Sequence, residues 1–129
     1  MKPITLEWVL KAEADFATVE RECRARRSPN YDGACFHAQQ AAEKYLKARL
    51  HEAAVEFGKT HDLVVLLDQV LPTEPTWEAF REDLAFLSAF AVAFRYPGEL
   101  ADAAAAKDAR RRCRTFRRAA RAALGLSPC

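Results

Sequence analysis

The chain has 129 residues, half of them apolar and only four of them glycine, which excludes a disordered or low-complexity protein. We therefore predict a single folded domain over residues 1–129. The longest apolar run, residues 89–94, is far shorter than the ~18 residues needed to cross a bilayer. Glu7 interrupts the apolar start, so no secretory signal is expected, and we predict a cytoplasmic protein with no membrane association.

The charge is unevenly distributed along the chain. Residues 101–129 carry eight Lys and Arg against two acids, a net charge of +6. Residues 1–100 carry twelve against sixteen, a net charge of −4. The sequence therefore predicts a basic C-terminal helix on a mildly acidic body.

Apolar residues recur every three or four positions in the first half of the chain, which predicts three helices. The first runs from about Thr5 to Arg26 and ends before Pro29. The second begins at an Asp32 cap and continues to about Phe57, with Gly58 as its stop signal. The third is the short segment HDLVVLLDQVL, with Thr60 as its predicted cap.

Two more helices are predicted in the second half. The fourth runs from a Thr76 cap to about Arg95, and the fifth spans about Asp102 to Leu124 with Cys113 and Phe116 facing inward. Long helices joined by short turns predict an all-α, antiparallel up-and-down bundle of about five helices, four long and one short. The fourth helix carries a second apolar stripe, which predicts a homodimer contact at Phe86, Phe90 and Ala93.

The four cysteines show no C-x-x-C pairing. We interpret Cys23 and Cys113, which fall on apolar helical positions, as buried reduced thiols. Cys35 and His37 lie close in sequence but do not by themselves make a metal site, and no metal or cofactor is predicted.

Several short motifs taken together resemble the HEPN domain family (higher eukaryotes and prokaryotes nucleotide-binding). The first helix supplies Trp8 and Asp15-Phe16. The other motifs are Phe36, Gln39-Gln40-Ala41-Ala42-Glu43-Lys44 with Lys47-Ala48, His61-Asp62-Leu63 with Leu66-Leu67, and Arg95-Tyr96-Pro97. The resemblance covers nearly the whole chain.

The resemblance implies a five-helix bundle, often dimeric, that is found beside a minimal nucleotidyltransferase or in toxin–antitoxin operons. It also implies nucleotide or substrate binding, and some members are metal-independent ribonucleases with an Arg four to six residues before a His. No histidine of this sequence has an Arg at that distance. The acid–base pair that the ribonuclease members use is therefore not predicted here.

The polar residues of the second helix leave two interpretations open. Gln40, Lys44 and Lys47 share one side of the helix, beside a row formed by Gln39 and Glu43. They are either a solvated flank or a site for a phosphate-bearing nucleotide. The second interpretation gains weight if further ligand-binding candidates, His61, Arg95 and Tyr96, line the same cleft as Lys44.

The fifth helix carries a second candidate surface. An outer face is predicted for Arg110, Arg114, Arg117, Arg118 and Arg121. Such a face could bind nucleic-acid phosphates, meet an acidic partner, or simply keep the protein soluble.

The leading prediction is thus a non-catalytic module that binds a nucleotide or phosphate ligand and acts with a separately encoded minimal nucleotidyltransferase. One alternative is a divergent metal-independent ribonuclease toxin that uses His61 or His51 with Arg95. Another is a dimeric RNA- or protein-interaction module that uses the basic helix.

Overall fold

A computed structural model describes residues 1–91 and 97–129, and this part of the chain is helical without a β-strand. The helices are α1 (Pro3–Arg24), α2 (Tyr31–Glu52), α3 (Leu63–Val70), α4 (Arg81–Ser88) and α5 (Ala103–Ala123), with a 3-10 helix at Pro75–Phe80 before α4. The all-helical bundle predicted from the sequence is confirmed. No helix of the described residues is both long and apolar enough to cross a membrane.

Helix α2 is the central element and packs against α1, α3, α4 and α5. Its inner surface is rich in small residues, which lets neighbouring helices approach closely. The buried alanines of α2 are Ala34, Ala38, Ala41, Ala42 and Ala48. Tyr45, Leu46 and Leu50 fill the remaining space together with Phe116 from α5, and all four are fully buried.

Contacts between helix ends give the relative directions of the long helices. Lys2 N donates to the Glu52 carboxylate at 2.9 Å, so the start of α1 meets the end of α2 and the two are antiparallel. Arg110 pairs with Glu20 and Arg117 with Glu13, so α1 and α5 are also antiparallel. Helices α2 and α5 therefore run in the same direction.

The second helix ends earlier than predicted, at Glu52 instead of about Phe57. Ala54 adopts a left-handed conformation with φ of 59°. The amides of Ala54 and Val55 then bond the carbonyls of His51 and Leu50 at 3.0 and 2.9 Å. This is the Schellman arrangement, here with alanine where glycine is usual. The prediction that Gly58 stops the helix was therefore wrong.

The predicted caps of α2 and α3 were also misplaced. Asn30 caps α2 by accepting a hydrogen bond from Gly33 N at 2.8 Å, while Asp32 accepts one from Ala101 N at 2.8 Å and ties α2 to the segment before α5. Asp62 caps α3 in place of Thr60. Each true cap lies within two residues of its predicted position, and each is a residue type that accepts well at a helix start.

The predicted long fourth helix is divided. Pro75 begins the 3-10 helix, α4 follows only to Ser88, and the next amides bond carbonyls three residues back instead of four. The apolar spacing continues through Phe90, so periodicity alone could not locate this end. Residues 92–96, which contain part of the predicted helix, lie outside the described residues.

The inward positions predicted for α5 are confirmed, since Cys113 and Phe116 are buried, as are Ala109 and Ala120 on the same side of the helix. Of the cysteines, Cys113 and Cys35 are buried, Cys23 is partly buried, and all four are free thiols. Within the described residues, no group of three or more His, Cys, Asp or Glu is placed to hold a metal ion.

Candidate functional site

A buried carboxylate lies at the centre of a polar network on α2. Glu43 is only 3% exposed and accepts hydrogen bonds from Gln39 Nε2 and Lys47 Nζ, each at 3.0 Å. The three residues are four positions apart, so their side chains lie on one side of the helix. His61 Nδ1 lies 2.9 Å from Glu43 Oε1 and joins the network from the segment before α3.

These partners determine the charge of Glu43. Burial raises the pKa of Glu43, but hydrogen bonds from Gln39, His61 and Lys47 lower it by more, so the pKa lies below its ordinary value of 4.5. Glu43 is therefore ionised at neutral pH. It forms a buried ion pair with Lys47, in which the two side chains are 4% and 7% exposed.

His61 is held at two points and is still accessible. Besides the contact at Nδ1, its carbonyl oxygen accepts a hydrogen bond from Gln39 Nε2 at 3.1 Å. The side chain is nevertheless 63% exposed. Gln39 and Glu43 thus fix the position of an imidazole that solvent or a ligand can reach.

A cavity of about 530 Å³ opens beside this network. Its lining combines aromatic, cationic and acidic residues: Trp8, Glu43, Lys47, Phe57, Gly58, Lys59 and His61. The rings of Trp8 and Phe57 meet edge to face with centroids 6.1 Å apart. Lys47 Nζ lies 5.6 Å and 5.8 Å from those two centroids, within range of a cation–π interaction.

The chemistry of this cavity suits a ligand with a flat ring and a negative charge. Aromatic side chains contact a planar heterocycle well, and Lys59 and His61 supply cationic or hydrogen-bonding groups at the exposed rim. Glu43 already accepts hydrogen bonds at both oxygens. These contacts hold Lys47 and His61 in place at the cavity.

Lys44, a predicted ligand residue, lies in a different cluster. Its Nζ is 2.5 Å from Asp15 Oδ2, and His37 Nδ1 is 2.7 Å from Asp15 Oδ1. Asp15 is 8% exposed, so the pair links α1 to α2 from a largely buried position. The sequence pattern placed Lys44 beside Lys47, but the structure pairs the two ammonium groups with different carboxylates.

The predicted ligand residues are therefore only partly brought together. Lys47 and His61 line one cavity, whereas Lys44 does not line it and Gln40 donates to Gln39 Oε1 at 2.7 Å. Arg95 and Tyr96 lie outside the described residues. A ligand-binding role for these residues stays a prediction.

Two arginines of the predicted basic face point toward the bundle. Arg117 donates two hydrogen bonds to Glu13, both at 2.7 Å, and its guanidinium lies 4.6 Å from the Phe16 ring centroid. Arg121 bonds Tyr45 Oη at 3.2 Å, and Tyr45 donates in turn to Glu13. The predicted outer position of Arg117 and Arg121 was wrong, because carboxylate and phenol groups on α1 and α2 attract them inward.

This network shifts two pKa values in opposite directions. Burial raises the pKa of Glu13, but hydrogen bonds from Arg117 and Tyr45 lower it by more, and the result is below the ordinary value. Burial, and the hydrogen bond to Glu13, raise the pKa of Tyr45. The pair is therefore a carboxylate that accepts from a protonated phenol.

The other three arginines of that face remain toward solvent to different degrees. Arg110 binds Glu20 through two hydrogen bonds of 2.6 and 3.0 Å and is 33% exposed. Arg114 and Arg118 are exposed. The outer basic face is thus narrower than predicted.

Only two residues of the predicted dimer contact, Phe86 and Phe90, lie within the described part of the chain. Phe86 and Phe90 are partly buried against the core and meet edge to face at 5.5 Å. The Arg112 guanidinium lies 4.5 Å from the Phe86 ring centroid. Ala93 lies outside the described residues, and the dimer stays a prediction.

Sequence reasoning did not assign several of these residues to a site. Trp8 and Phe57 lie 49 positions apart, so no local pattern predicts that their rings meet. Lys59 lies in a connecting segment without periodicity. Asp15 and His37 are related only through the packing of α1 on α2. The four-residue spacing of Gln39, Glu43 and Lys47 was the one feature of the sequence that could have predicted part of this network.

The fold and the network define a small helical-bundle protein whose central helix carries a buried ion pair. The sequence model described as "HEPN domain" matches residues 5–123, and the chain belongs to this family. The resemblance seen in the sequence is therefore confirmed. No curated protein and no solved structure matches the chain significantly. Membership of the family supports a nucleotide-related or ribonuclease-type function.

Proposed function

We propose that the chain is a cytoplasmic, non-catalytic module that binds a nucleotide or similar phosphate-bearing ligand and acts with a separately encoded minimal nucleotidyltransferase. The observation that supports this proposal is the convergence of two aromatic rings, two lysines and a histidine on one cavity. Trp8 and Phe57 supply the rings, Lys47 and Lys59 supply positive charge, and the His61 imidazole supplies hydrogen-bonding nitrogens. A cavity of about 530 Å³ is within the range of small-molecule sites.

In the proposed complex, the base lies against Trp8 and Phe57 while the phosphates face Lys59 and His61. Stacking of a base on an aromatic side chain contributes about 1–3 kcal/mol. Lys47 is already paired with Glu43, so it contributes a fixed charge behind the aromatic rings. Because Glu43 holds both Lys47 and His61, little side-chain ordering is needed when the ligand binds.

Thermal denaturation in the presence of each ribonucleoside triphosphate tests this proposal. At about a hundredfold excess over Kd, binding stabilises the folded state by about 2.7 kcal/mol, which raises the Tm by several degrees. We expect Lys59→Ala and His61→Ala to reduce this rise, because both side chains line the cavity. The control is Lys107→Ala, which removes an exposed lysine on α5. The proposal fails if no nucleotide raises the Tm, or if the two cavity variants behave like the control.

The contact between Glu43 and His61 also favours a second candidate function. A carboxylate that bonds Nδ1 orients an imidazole for acid–base work, as a ribonuclease requires. If the chain is a divergent ribonuclease, it cleaves RNA in the presence of EDTA, and His61→Ala abolishes the cleavage. We expect no such cleavage from a binding module.

Co-purification tests the proposed partnership with a minimal nucleotidyltransferase. A minimal nucleotidyltransferase encoded beside this chain should co-purify with it in a stoichiometric complex. Separate elution of the two proteins at micromolar concentration would contradict the partnership, while leaving the nucleotide measurement unaffected.

The proposed homodimer is tested by light scattering coupled to size-exclusion chromatography. Phe86 and Phe90 form a partly exposed aromatic pair that a second copy could cover. We expect the mass of two chains for the native sequence and of one chain for Phe90→Asp. A single-chain mass for the native sequence would contradict the dimer.

A further inference from the structure

A groove of about 360 Å³ runs along the outer face of α5 and shares no lining residue with the cavity beside Glu43. Its lining consists of Arg110, Arg111, Arg114, Thr115 and Arg118. We propose that this groove binds the phosphate backbone of a nucleic-acid strand without reading its sequence. The proposal does not depend on the nucleotide site.

The arginines of the groove differ in how their charge is balanced. Arg110 is paired with Glu20, and Arg111 with Asp108 at 2.6 Å. Arg114 and Arg118 are exposed, and within residues 1–91 and 97–129 neither forms an ion pair or a side-chain hydrogen bond. The groove therefore has two guanidinium groups available to an anionic partner.

The spacing of the arginines suits a linear array of anions. Arg110, Arg114 and Arg118 are four residues apart, so each step along the helix axis is about 6 Å. Like charges at this spacing repel one another and weaken the helix. A regularly spaced polyanion relieves the repulsion at several positions at once, which a single compact anion cannot do.

The composition of the groove favours nucleic acid over protein. Centres of protein–protein interfaces are enriched in apolar and aromatic residues, whereas the five lining residues are four arginines and a threonine. Protein–nucleic acid interfaces are polar and strongly positive, and Arg and Thr side chains commonly donate to phosphate oxygens. Among the described residues, the lining offers no aromatic ring on which a base could stack, so the contacts should go to phosphates, which carry no sequence information.

Fluorescence anisotropy with a labelled single-stranded RNA of about 20 nucleotides tests the proposal. If Arg114 and Arg118 contact phosphates, the slope of log K against log salt is about −1.4, and affinity falls roughly sevenfold between about 50 and 200 mM salt. The double variant Arg114→Gln/Arg118→Gln should remove most of this salt dependence and weaken binding at low salt at least tenfold. Parallel titrations with duplex RNA and duplex DNA show which strand geometry fits the groove best.

The matched control is Arg26→Gln/Arg27→Gln, which removes the same charge from two exposed residues between α1 and α2. Its affinity should stay within twofold of the native chain. Equal losses in the two double variants would overturn the proposal, as would the absence of RNA binding at low salt. Polyglutamate that displaces RNA at equal charge concentration would also overturn it, in favour of an acidic protein partner.

Discussion

Glu43 and Lys47, one turn apart on α2, form an ion pair of 3.0 Å in which both side chains are almost completely buried. Separating the two groups leaves a charge without its partner in a region that water hardly reaches. We expect Lys47→Met to lower the free energy of unfolding by about 3 kcal/mol, as measured by urea denaturation. Glu43→Gln/Lys47→Met should cost less than the two single changes combined. Additive losses would show that the two side chains act independently.

The ionised state of Glu43 makes stability depend on pH. The pKa of Glu43 in the folded protein lies below the ordinary value of 4.5. The contribution of Glu43 to the free energy of unfolding is therefore fully present above about pH 4.5, and it is lost as the pH falls through the folded-state pKa. Glu13 and Glu20 act with the same sign. We expect the free energy of unfolding to fall between about pH 5 and pH 3. Glu43→Gln should show a shallower fall, and an unchanged pH profile would contradict the assignment.

Two neighbouring arginines on α5 should differ sharply in their effect on stability. Arg117 bonds Glu13 through two hydrogen bonds and is 11% exposed, whereas Arg118 is exposed. We expect Arg117→Met to lower the free energy of unfolding by about 2 kcal/mol, because Glu13 loses its strongest partner. Arg118→Met should change it by less than about 0.5 kcal/mol. Similar effects at the two positions would contradict the distinction between paired and exposed arginines.

The left-handed residue after α2 offers a stabilising change. Ala54 has φ of 59°, a conformation that costs a residue with a Cβ roughly 1 kcal/mol relative to glycine. Ala54→Gly should therefore raise the free energy of unfolding by about 0.5–1 kcal/mol. The control is Ala53→Gly, since Ala53 has φ of −83° and gains nothing from glycine. A loss of stability in Ala54→Gly would show that its Cβ makes contacts worth more than the strain.

The fold was largely predictable because the spacing of apolar residues along a helix determines which side chains are buried. Cys113 and Phe116 lie at the buried positions that their periodicity predicts. The ends of elements were less predictable, because they depend on hydrogen bonds made across the fold. Asp32 illustrates this, since it looked like a helix cap and instead holds the amide of Ala101, 69 residues away.

The candidate site was only partly predictable because helical spacing gives the side of a helix but not the partner that a long side chain selects. Lys44 and Lys47 looked equivalent in sequence and bind carboxylates on different helices. Arg117 and Arg118 are adjacent in sequence, but Arg117 binds the Glu13 carboxylate whereas Arg118 is exposed. Trp8 and Phe57 meet only because the segment after α2 turns back toward the first helix.

Where α2 presents alanines, it has no large side chain to fix its rotation or axial position against its neighbours. Glu43 and Lys44 fix the rotation of α2 through specific bonds. If α2 rotated by one residue, Glu43 would lose its contact with His61, and Lys44 would lose its contact with Asp15. We therefore expect replacement of both polar residues by leucine to give a compact helical protein with poorly dispersed nuclear magnetic resonance signals.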